Sequence, residues 1–262
     1  MSERRKSYDP IAQLYDRARP AYPAELFDDI IAFANLGEEA RLLEIGSGTG
    51  QATLPLAERG YAIDCIELGK ELAAIARQKL MQFPNVRVKN ADFETVALPP
   101  RAYDLVYAAT AFHWIDPAIS FRKAHSLLKP GGALALFWHR PVLTAASREH
   151  VNALQAVYRR VVPEMARDYT LPPGPDEVST EYAELIPGSG FFGDLAIHKH
   201  YVLTKYSVEA YVDLLGTFSD HTALPPATRR QLFTEISALV NREFAGVALR
   251  ETVALLYLAR RK

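Results

Sequence analysis

Cysteine is almost absent from this chain, because Cys65 is the only one among its 262 residues. A single thiol cannot form a disulfide within the chain, and a reducing compartment is then the default expectation. Cys65 lies within an apolar run, where it is expected to act as a small buried hydrophobic residue. We therefore expect a cytoplasmic protein whose stability comes from its hydrophobic core.

The chain also lacks an excess of positive charge and any long apolar run. Its 30 Lys and Arg residues balance 31 Asp and Glu residues. A nucleic-acid partner is not expected, since such partners require a broad basic face. No run approaches the roughly 20 apolar residues that cross a bilayer, and the first residues lack the apolar stretch of a secretory signal. A membrane partner is therefore not expected either.

The most informative stretch is Arg41-Leu-Leu-Glu-Ile-Gly-Ser-Gly-Thr-Gly-Gln51, an apolar run that ends in alternating glycines. The apolar run predicts a strand buried on both faces, and the glycines predict a sharp turn. Residues 51–59 then have helical spacing. Strand, glycine turn and helix are typical of half a nucleotide-binding βαβ unit, although the same turn is also compatible with simple packing of the helix on the strand.

A second apolar run, residues 61–68, places Glu67 about 20 residues after the first glycine, where a ribose-binding acid lies in such units. The turn reads G-x-G-x-G, and Gln51 occupies the position of the third glycine in the dinucleotide fingerprint G-x-G-x-x-G. The spacing therefore disfavours a nicotinamide-dependent oxidoreductase, which stays open as an alternative.

These residues resemble the class I S-adenosylmethionine-dependent methyltransferase family. The resemblance rests on motifs in the family's order and spacing from about residue 41 to 139: Glu44–Gly50, the acid Glu67, Asp92 in Asn-Ala-Asp-Phe, Tyr103–Val106 and Leu128–Ala133. Within the family, Ala111-Phe-His-Trp-Ile-Asp116 is similar to the small-molecule branch that includes trans-aconitate methyltransferases.

The resemblance implies an α/β fold with a Rossmann-like, seven-stranded, mostly parallel sheet whose last strand is antiparallel, flanked by helices. We expect a single domain over residues 1–262. Residues 1–36 would form an N-terminal helical cover, 41–139 the cofactor-binding core, and 140–262 a helical cap with the last two strands, at 195–204 and 252–259. Gly37 is predicted to end the helix over residues 24–36.

The implied cofactor is S-adenosylmethionine. The residues expected to bind it follow the first four strands: Glu44, Gly46, Ser47, Gly48, Gly50, Glu67, Leu68, Asp92, Phe93, Ala109 and Thr110. By resemblance, Glu67 accepts hydrogen bonds from the ribose hydroxyls, and Asp92 accepts one from the adenine amino group. Phe93 then lies beside the adenine ring. Asp92 is alternatively a turn or helix-capping residue.

Other side chains are candidates for binding the substrate. Tyr8, Tyr15 and Arg19 precede the first strand and are candidates for the cofactor carboxylate or an anionic substrate, or they belong to a surface amphipathic segment. His139 and Arg140 follow the fifth strand, where an arginine offers two parallel donors to a carboxylate. The alternative is that Arg140 pairs with a local acid.

The segment after the fourth strand indicates the substrate class. It reads Thr110-Ala-Phe-His-Trp114 and lacks the Asn/Asp-Pro-Pro-Tyr/Phe motif of methyltransferases that act on base amines or glutamine. His113 is the candidate catalytic residue, because an imidazole can orient or deprotonate an acceptor near neutral pH. It is alternatively a packing residue. Trp114 is a further candidate for binding the substrate, as part of the core or of the pocket wall.

His198 and His200 share one face of a predicted strand, a spacing that metal ligands use. No further ligands accompany them in the sequence, so we expect no metal. The combined hypothesis is a methyltransferase that transfers a methyl group to an O or N atom of a small, possibly carboxylated molecule, as a monomer or homodimer. A methyltransferase-like module that binds nucleoside without turnover is the alternative.

Overall fold

The computed structural model describes residues 8–262, so residues 1–7 of the predicted N-terminal cover lie outside the described residues. Strands and helices alternate up to the fifth strand, except that no helix separates the third strand from the fourth, and helices then precede each of the last two strands. Among residues 8–262, no helix has both the length and the apolar character needed to cross a membrane.

The secondary-structure elements have the following bounds. The strands are β1 Arg41–Ile45, β2 Ala62–Glu67, β3 Val86–Asn90, β4 Tyr103–Ala109, β5 Leu128–Pro141, β6 Phe192–Ser207 and β7 Val247–Arg261. The helices are α1 Ala12–Ala18, α2 Ala24–Ala34, α3 Thr53–Ala57, α4 Lys70–Lys79, α5 Pro117–Leu127, α6 Arg148–Val161, α7 Pro163–Arg167, α8 Tyr182–Gly188, α9 Val208–Leu215, α10 Ser219–Thr222 and α11 Pro226–Glu243. Short 3₁₀ turns occupy Asp9–Ile11, Phe112–Trp114 and Pro175–Glu177.

All seven strands form one sheet in the order β3-β2-β1-β4-β5-β7-β6. Strands β1 to β5 are parallel, β7 is antiparallel to β5, and β6 is antiparallel to β7. The predicted Rossmann-like sheet with an antiparallel last strand is therefore confirmed. The strand order reverses between β1 and β4, and open α/β sheets bind ligands at such a point, outside the carboxyl ends of the strands.

Helices cover both faces of the sheet. Leu26, Phe27 and Ile30 of α2 pack on one face, and Leu127 of α5 and Ile186 of α8 pack on the other. These side chains are at most 3% exposed, and burying a side chain of this size stabilises the fold by about 1.5–3 kcal/mol. The sheet is thus held between two helical layers, which fixes its carboxyl edge as a platform for a site.

A further hydrophobic cluster joins α6, α9 and α11 outside these layers. Leu232, Ile236 and Val240 of α11 are fully buried in it, and their spacing of four residues places them on one helix face. Ala248, near the start of β7, also belongs to the cluster. The helices are therefore anchored to the end of the β6–β7 pair.

Several element bounds differ from the sequence prediction. Strands β6 and β7 are longer than expected, because they pair with each other as far as Ser207 and Val247, beyond the point where β5 ends. Helix α2 ends earlier than expected, because Asn35 takes the left-handed conformation at φ +52° that was predicted for Gly37. Asparagine adopts this conformation more readily than most other residues with a side chain.

Candidate functional site

The carboxyl edge of the sheet carries a crevice made of two adjoining cavities. The edge cavity, of about 110 Å³, includes in its lining Tyr8, Tyr15, Gly46, Gly48, Glu67, Leu68, Asp92, Phe93, Ala109, Thr110 and Trp114. The turn cavity, of about 90 Å³, includes Tyr15, Arg19, Tyr22, Glu44, Gly46, Ser47, Gly48, Gln51, Ala109, Thr110, His139, Phe218 and Arg250. The shared residues make the two cavities continuous.

A larger cavity of about 500 Å³, the cap cavity, lies under the helices that follow β5. Its lining is mostly apolar and includes Leu154, Tyr158, Met165, Tyr211 and His221. Phe218 and Arg250 line both this cavity and the turn cavity. The crevice and the cap cavity therefore meet at these two side chains.

The glycine turn has the backbone that the alternating pattern predicts. Gly46, Gly48 and Gly50 have φ values of +67°, +57° and +88°, a region in which residues with a side chain are strained. A Cβ atom on Gly46 would lie 2.5 Å from the Cβ of Ala111. This position therefore needs glycine for two reasons, its conformation and its close contact with the segment after β4. Gly50 lines neither cavity and packs near Leu80.

Glu67 connects the loops on either side of the edge cavity. Its Oε2 accepts the N–H of Gly48 at 2.8 Å, and its Oε1 accepts the N–H of Gly69 at 2.7 Å. Burial raises the pKa of Glu67, and the two N–H groups oppose that rise. A carboxylate has about four acceptor positions, so the side chain can still accept hydroxyl groups.

Asp92 and Phe93 lie together at the far side of the edge cavity. Asp92 Oδ1 accepts the N–H of Glu94 at 2.8 Å, which makes Asp92 a turn residue as well as a lining residue. Phe93 is 5% exposed and has the Nζ of Lys123 5.1 Å from its ring centre. The cavity wall thus offers an acidic edge next to an apolar face.

Glu44 brings a buried carboxyl group to the turn cavity. Its Oε2 accepts hydrogen bonds from Thr53 Oγ1 at 2.6 Å and from Tyr107 Oη at 2.8 Å. Its Oε1 is buried and has no hydrogen-bond partner among residues 8–262. Burial raises the pKa of Glu44 to about 7, so a positive charge placed beside it would favour the ionised form.

Several buried polar atoms without hydrogen-bond partners belong to residues that line the turn cavity. Within the described residues they are Arg19 Nε, Glu44 Oε1, Ser47 Oγ, Gln51 Nε2 and His139 Nε2. Buried polar atoms are almost always hydrogen-bonded in folded proteins, so a concentration of exceptions at one cavity indicates a polar ligand. The set contains an acid, a cation and neutral groups, which suits a ligand that carries both charges.

Thr110 lies where the two cavities meet and has a strained backbone. Its φ is +53°, which costs about 1–3 kcal/mol for a residue of this type. The Thr110 N–H donates to the carbonyl of Phe137 at 2.8 Å, and its Oγ1 lies 2.7 Å from Tyr22 Oη. These contacts hold the end of β4 in an unusual conformation at the crevice.

Arg19 and Arg250 both lie over the ring of Phe218 at the junction with the cap cavity. Each guanidinium carbon is 5.0 Å from the centre of the Phe218 ring. Arg19 donates to the Thr217 carbonyl at 3.0 Å. Among residues 8–262, neither arginine forms a salt bridge with an acidic side chain. The junction therefore carries two half-buried guanidinium groups that form no ion pair within residues 8–262.

His139 faces the turn cavity, as predicted. Its ring stacks on Tyr22 with 4.4 Å between ring centres. Burial and then the charge of Arg250 lower the pKa of His139 to about 4, so the imidazole is neutral at pH 7. Its Nε2 has no hydrogen-bond partner of good geometry, although the backbone of Ala21 offsets part of the pKa decrease.

His113 and Arg140 lie outside the two crevice cavities, on the other face of the sheet edge. Neighbouring residues of a strand point to opposite faces, so Arg140 points away from His139 and pairs with Glu181. His113 Nδ1 accepts the indole N–H of Trp138 at 3.1 Å. Burial and then Arg140 lower the pKa of His113. The structure thus brings Tyr15, Arg19 and His139 together and separates His113 and Arg140 from them.

The sequence prediction did not include Tyr22, Gln51 or Arg250. Tyr22 and Gln51 lie at the ends of predicted elements, where a tyrosine or a glutamine does not by itself indicate a binding site. Arg250 did carry a signal, because it is a charged residue beside a strongly apolar run, residues 253–259. Its place in the site depends on β7 continuing past β5, which the sequence did not indicate.

Comparisons with known proteins point to methyltransferases. A family model described as a methyltransferase domain matches residues 43–136. An uncharacterized methyltransferase-like protein of Schizosaccharomyces pombe is 29% identical over 228 residues, which is 87% of this chain and 83% of that protein. The trans-aconitate 2-methyltransferase of Deinococcus radiodurans is 27% identical over 200 residues, 73% of this chain and 72% of that protein.

Solved structures give the same fold. A provisionally assigned type II methyltransferase from Anaeromyxobacter dehalogenans aligns with a TM-score of 0.64 and 25% identity, over 92% of this chain and 97% of that one. The phosphoethanolamine N-methyltransferase 2 of Haemonchus contortus, solved with S-adenosylhomocysteine, aligns with a TM-score of 0.56 and 16% identity, over 99% of this chain and 58% of that one.

The donor set of the crevice fits S-adenosylmethionine. Its zwitterionic amino-acid end requires an acid and a cation, and the turn cavity supplies unpaired atoms of Glu44 and Arg19. Its adenosine requires hydroxyl acceptors and an apolar face, and the edge cavity supplies Glu67 and Phe93. Sequence, fold and crevice chemistry together support a class I S-adenosylmethionine-dependent methyltransferase.

Proposed function

We propose that the chain transfers a methyl group to an O or N atom of a small carboxylated molecule, which binds at the junction of the turn and cap cavities. The observation that carries the proposal is the pair Arg19 and Arg250 beside Phe218, two half-buried guanidinium groups without acidic partners in the described chain. Burying unpaired charge is costly. An anionic acceptor would balance that charge on binding.

The cap cavity supports a small acceptor with an apolar portion. Its volume of about 500 Å³ lies within the usual range for small-molecule sites, about 300–1,000 Å³. Its apolar walls suit a hydrocarbon body, and Arg250 at its mouth suits a carboxylate. One relative, the trans-aconitate 2-methyltransferase, is named for a carboxylic acid acceptor.

In this proposal the chain holds the cofactor along the whole crevice. Glu44 and Arg19 would bind the amino-acid end, and the turn from Gly46 to Gly48 would contact it through backbone groups. Glu67 would accept hydrogen bonds from the ribose hydroxyls. Asp92 and Phe93 would hold the adenine. The bound cofactor supplies a methyl group on a sulfonium, which is already a good leaving group.

The contribution of the protein is alignment of the acceptor and exclusion of water. Well-oriented reactants gain on the order of 7–11 kcal/mol from positioning. Tyr15 and Trp114 line the edge cavity and would close it around the reacting groups. Arg250 would fix the acceptor carboxylate, and Arg19, whose guanidinium has five N–H donors, would contact both that carboxylate and the cofactor's. The acceptor atom would then lie near the sulfonium.

Two histidines are candidates for orienting the acceptor. His113, the residue chosen from sequence, accepts a hydrogen bond at Nδ1, so a neutral ring carries its proton on Nε2 and would act as a donor rather than a base. His139 is neutral and has an unpaired Nε2 beside the turn cavity. We propose His139 as a second candidate, and comparing kcat for H113Q and H139Q at saturating cofactor distinguishes them.

The test is a two-stage measurement on the full chain. Isothermal titration with S-adenosylhomocysteine measures cofactor binding, and a panel of small carboxylic acids, amines and phenols is then scored by release of S-adenosylhomocysteine from S-adenosylmethionine. We expect binding and the highest turnover with carboxylic acids. Highest turnover with uncharged amines or phenols would contradict the carboxylate proposal. Binding without turnover of any compound would favour the nucleoside-binding module instead.

A further inference from the structure

The pair His198 and His200 lies outside the crevice lining and meets a third side chain of metal-ligand type. Both histidines belong to β6, the edge strand, and point toward α2, where Asp29 lies. Asp29 Oδ2 is 2.7 Å from His198 Nδ1 and 3.0 Å from His200 Nε2. The ligand atoms of all three side chains lie within 4.8 Å of one another.

From this geometry we infer a binding site for a divalent first-row transition cation, with Zn²⁺ as its simplest occupant. Two imidazole nitrogens and one carboxylate oxygen form a donor set that such cations prefer over Mg²⁺ and Ca²⁺. Ligand atoms around a tetrahedral Zn²⁺ are about 3.3 Å apart at Zn–N and Zn–O distances of about 2.0–2.1 Å. The two observed separations therefore need to open by only about half an ångström.

The contacts of His200 favour a shared cation over a simple ion pair. Its Nε2 is buried and close to Asp29 Oδ2, yet this contact does not have the geometry of a hydrogen bond. Both imidazoles instead face the same carboxylate oxygen, and their rings are 24° from parallel. The side chains remain partly accessible, with 40% of His198, 18% of His200 and 31% of Asp29 exposed, so a cation could enter from solvent.

The site would join two parts of the fold that otherwise contact each other little. Asp29 belongs to α2, and the segment just before α2 carries Tyr22, whose ring stacks on His139 in the crevice. On the sheet, His139 pairs with Ala254 of β7, and Ala254 pairs with His200 of β6. His139 and His200 are thus two strand spacings apart, roughly 10 Å, on the same face. A bound cation would fasten α2 to the edge strand beside the catalytic edge of the sheet.

The experiment uses the full chain without a histidine tag, so that its own histidines are the only imidazoles. Isothermal titration with ZnCl₂ should give one site per chain, and Co²⁺ should give the visible absorption of a four-coordinate complex. At a 100-fold excess over Kd, Zn²⁺ should raise the melting temperature by about 5–10 °C. D29N and the double variant H198Q/H200Q should weaken Zn²⁺ binding by more than about 100-fold, the upper end of the loss caused by removing an outer-shell partner.

The matched control is H125Q, which removes a histidine outside the cluster and should bind Zn²⁺ like the wild type. Far-UV circular dichroism of each metal-free variant establishes that it folds. Absence of heat and of any melting shift with wild-type protein at millimolar Zn²⁺ would overturn the inference and leave a simple Asp–His ion pair. Binding that persists unchanged in D29N and in H198Q/H200Q would overturn it too. Neither outcome depends on methyl transfer. The zinc site can therefore be confirmed or rejected independently of the proposed function.

Discussion

The two ends of the crevice differ in where their polar groups find partners. In the edge cavity, Glu67 and Asp92 accept hydrogen bonds from backbone N–H groups of the surrounding loops. In the turn cavity, buried atoms of Glu44, Arg19 and His139 have no hydrogen-bond partner of good geometry among residues 8–262. The edge cavity is therefore organised by the chain itself, whereas the turn cavity is completed only by its ligands.

This difference predicts how substitutions at the two ends behave. A substitution in the edge cavity breaks contacts that the folded chain makes on its own, so it should lower stability and ligand binding together. A substitution in the turn cavity removes a group that the fold leaves unsatisfied, so it should lower binding or activity with little loss of stability, or even with a gain.

The largest effect is expected for Gly46→Ala. The substitution adds a Cβ at a φ of +67° and within 2.5 Å of Ala111 Cβ. Left-handed strain and overpacking together should lower the free energy of unfolding by about 2–5 kcal/mol and weaken S-adenosylhomocysteine binding more than about 100-fold. Gly60→Ala is the matched control, since its φ is +90° and no atom lies near the added Cβ. Equal effects of the two variants on cofactor binding would contradict a role for the Gly46 contact.

Glu44→Gln tests the turn cavity through pH. Burial raises the pKa of Glu44 to about 7 in the folded state, from its ordinary value of 4.5, so the folded state holds this proton more tightly than the unfolded state. Its contribution to the free energy of unfolding is present below pH 4.5 and falls as pH rises to about 7, by up to about 3 kcal/mol. The wild type minus Glu44→Gln difference, from urea unfolding at several pH values, should show this decrease. A difference that stays constant from pH 4.5 to 7 would contradict it.

Arg250→Met tests the acceptor end. Losing one charge-assisted contact should lower kcat/KM for a carboxylated acceptor by about 10–100-fold, while the Kd for S-adenosylhomocysteine stays within about twofold. The melting temperature should stay the same or rise, because an unpaired half-buried charge is removed. Arg242→Met, at an exposed arginine that pairs with Glu243, is the control and should change neither constant. If Arg250→Met lost cofactor binding and stability together, Arg250 would stabilise the fold and would not be a specific acceptor ligand.

The smallest effect is expected for Arg140→Gln, which tests the substrate-binding role predicted from sequence. Arg140 pairs with the half-exposed Glu181, and such surface pairs contribute about 0–1 kcal/mol to stability. Because Arg140 lines neither crevice cavity, we expect kcat/KM within about twofold of the wild type. A rise in KM as large as that of Arg250→Met would restore Arg140 as an acceptor ligand.

The sequence predicted the edge cavity better than the turn cavity, and the reason is physical. Strand β1, the glycine turn and Glu67 are local patterns, because burial and positive φ act on residues that are close in the chain. The turn cavity assembles Arg19, Glu44, His139 and Arg250 from four distant segments, and only the tertiary structure brings them together.

Two features of the structure differ in whether the sequence alone could have predicted them. His139 and Arg140 were both assigned to the crevice, although alternation along a strand sends adjacent side chains to opposite faces. Asp29 had no pattern that linked it to His198 and His200, because α2 and β6 are about 170 residues apart and meet only in the folded sheet. The first prediction could have been corrected from sequence, and the second could not.

The most direct test of the account is the charge preference of the acceptor site. The most active carboxylic acid of the panel and its primary amide are each titrated into the S-adenosylhomocysteine complex of the wild type and of Arg250→Met. We predict that the wild type binds the acid at least about 10-fold more tightly than the amide and that the variant binds the two within about twofold. Equal affinity of the wild type for acid and amide would contradict the claim that the paired arginines select an anionic acceptor.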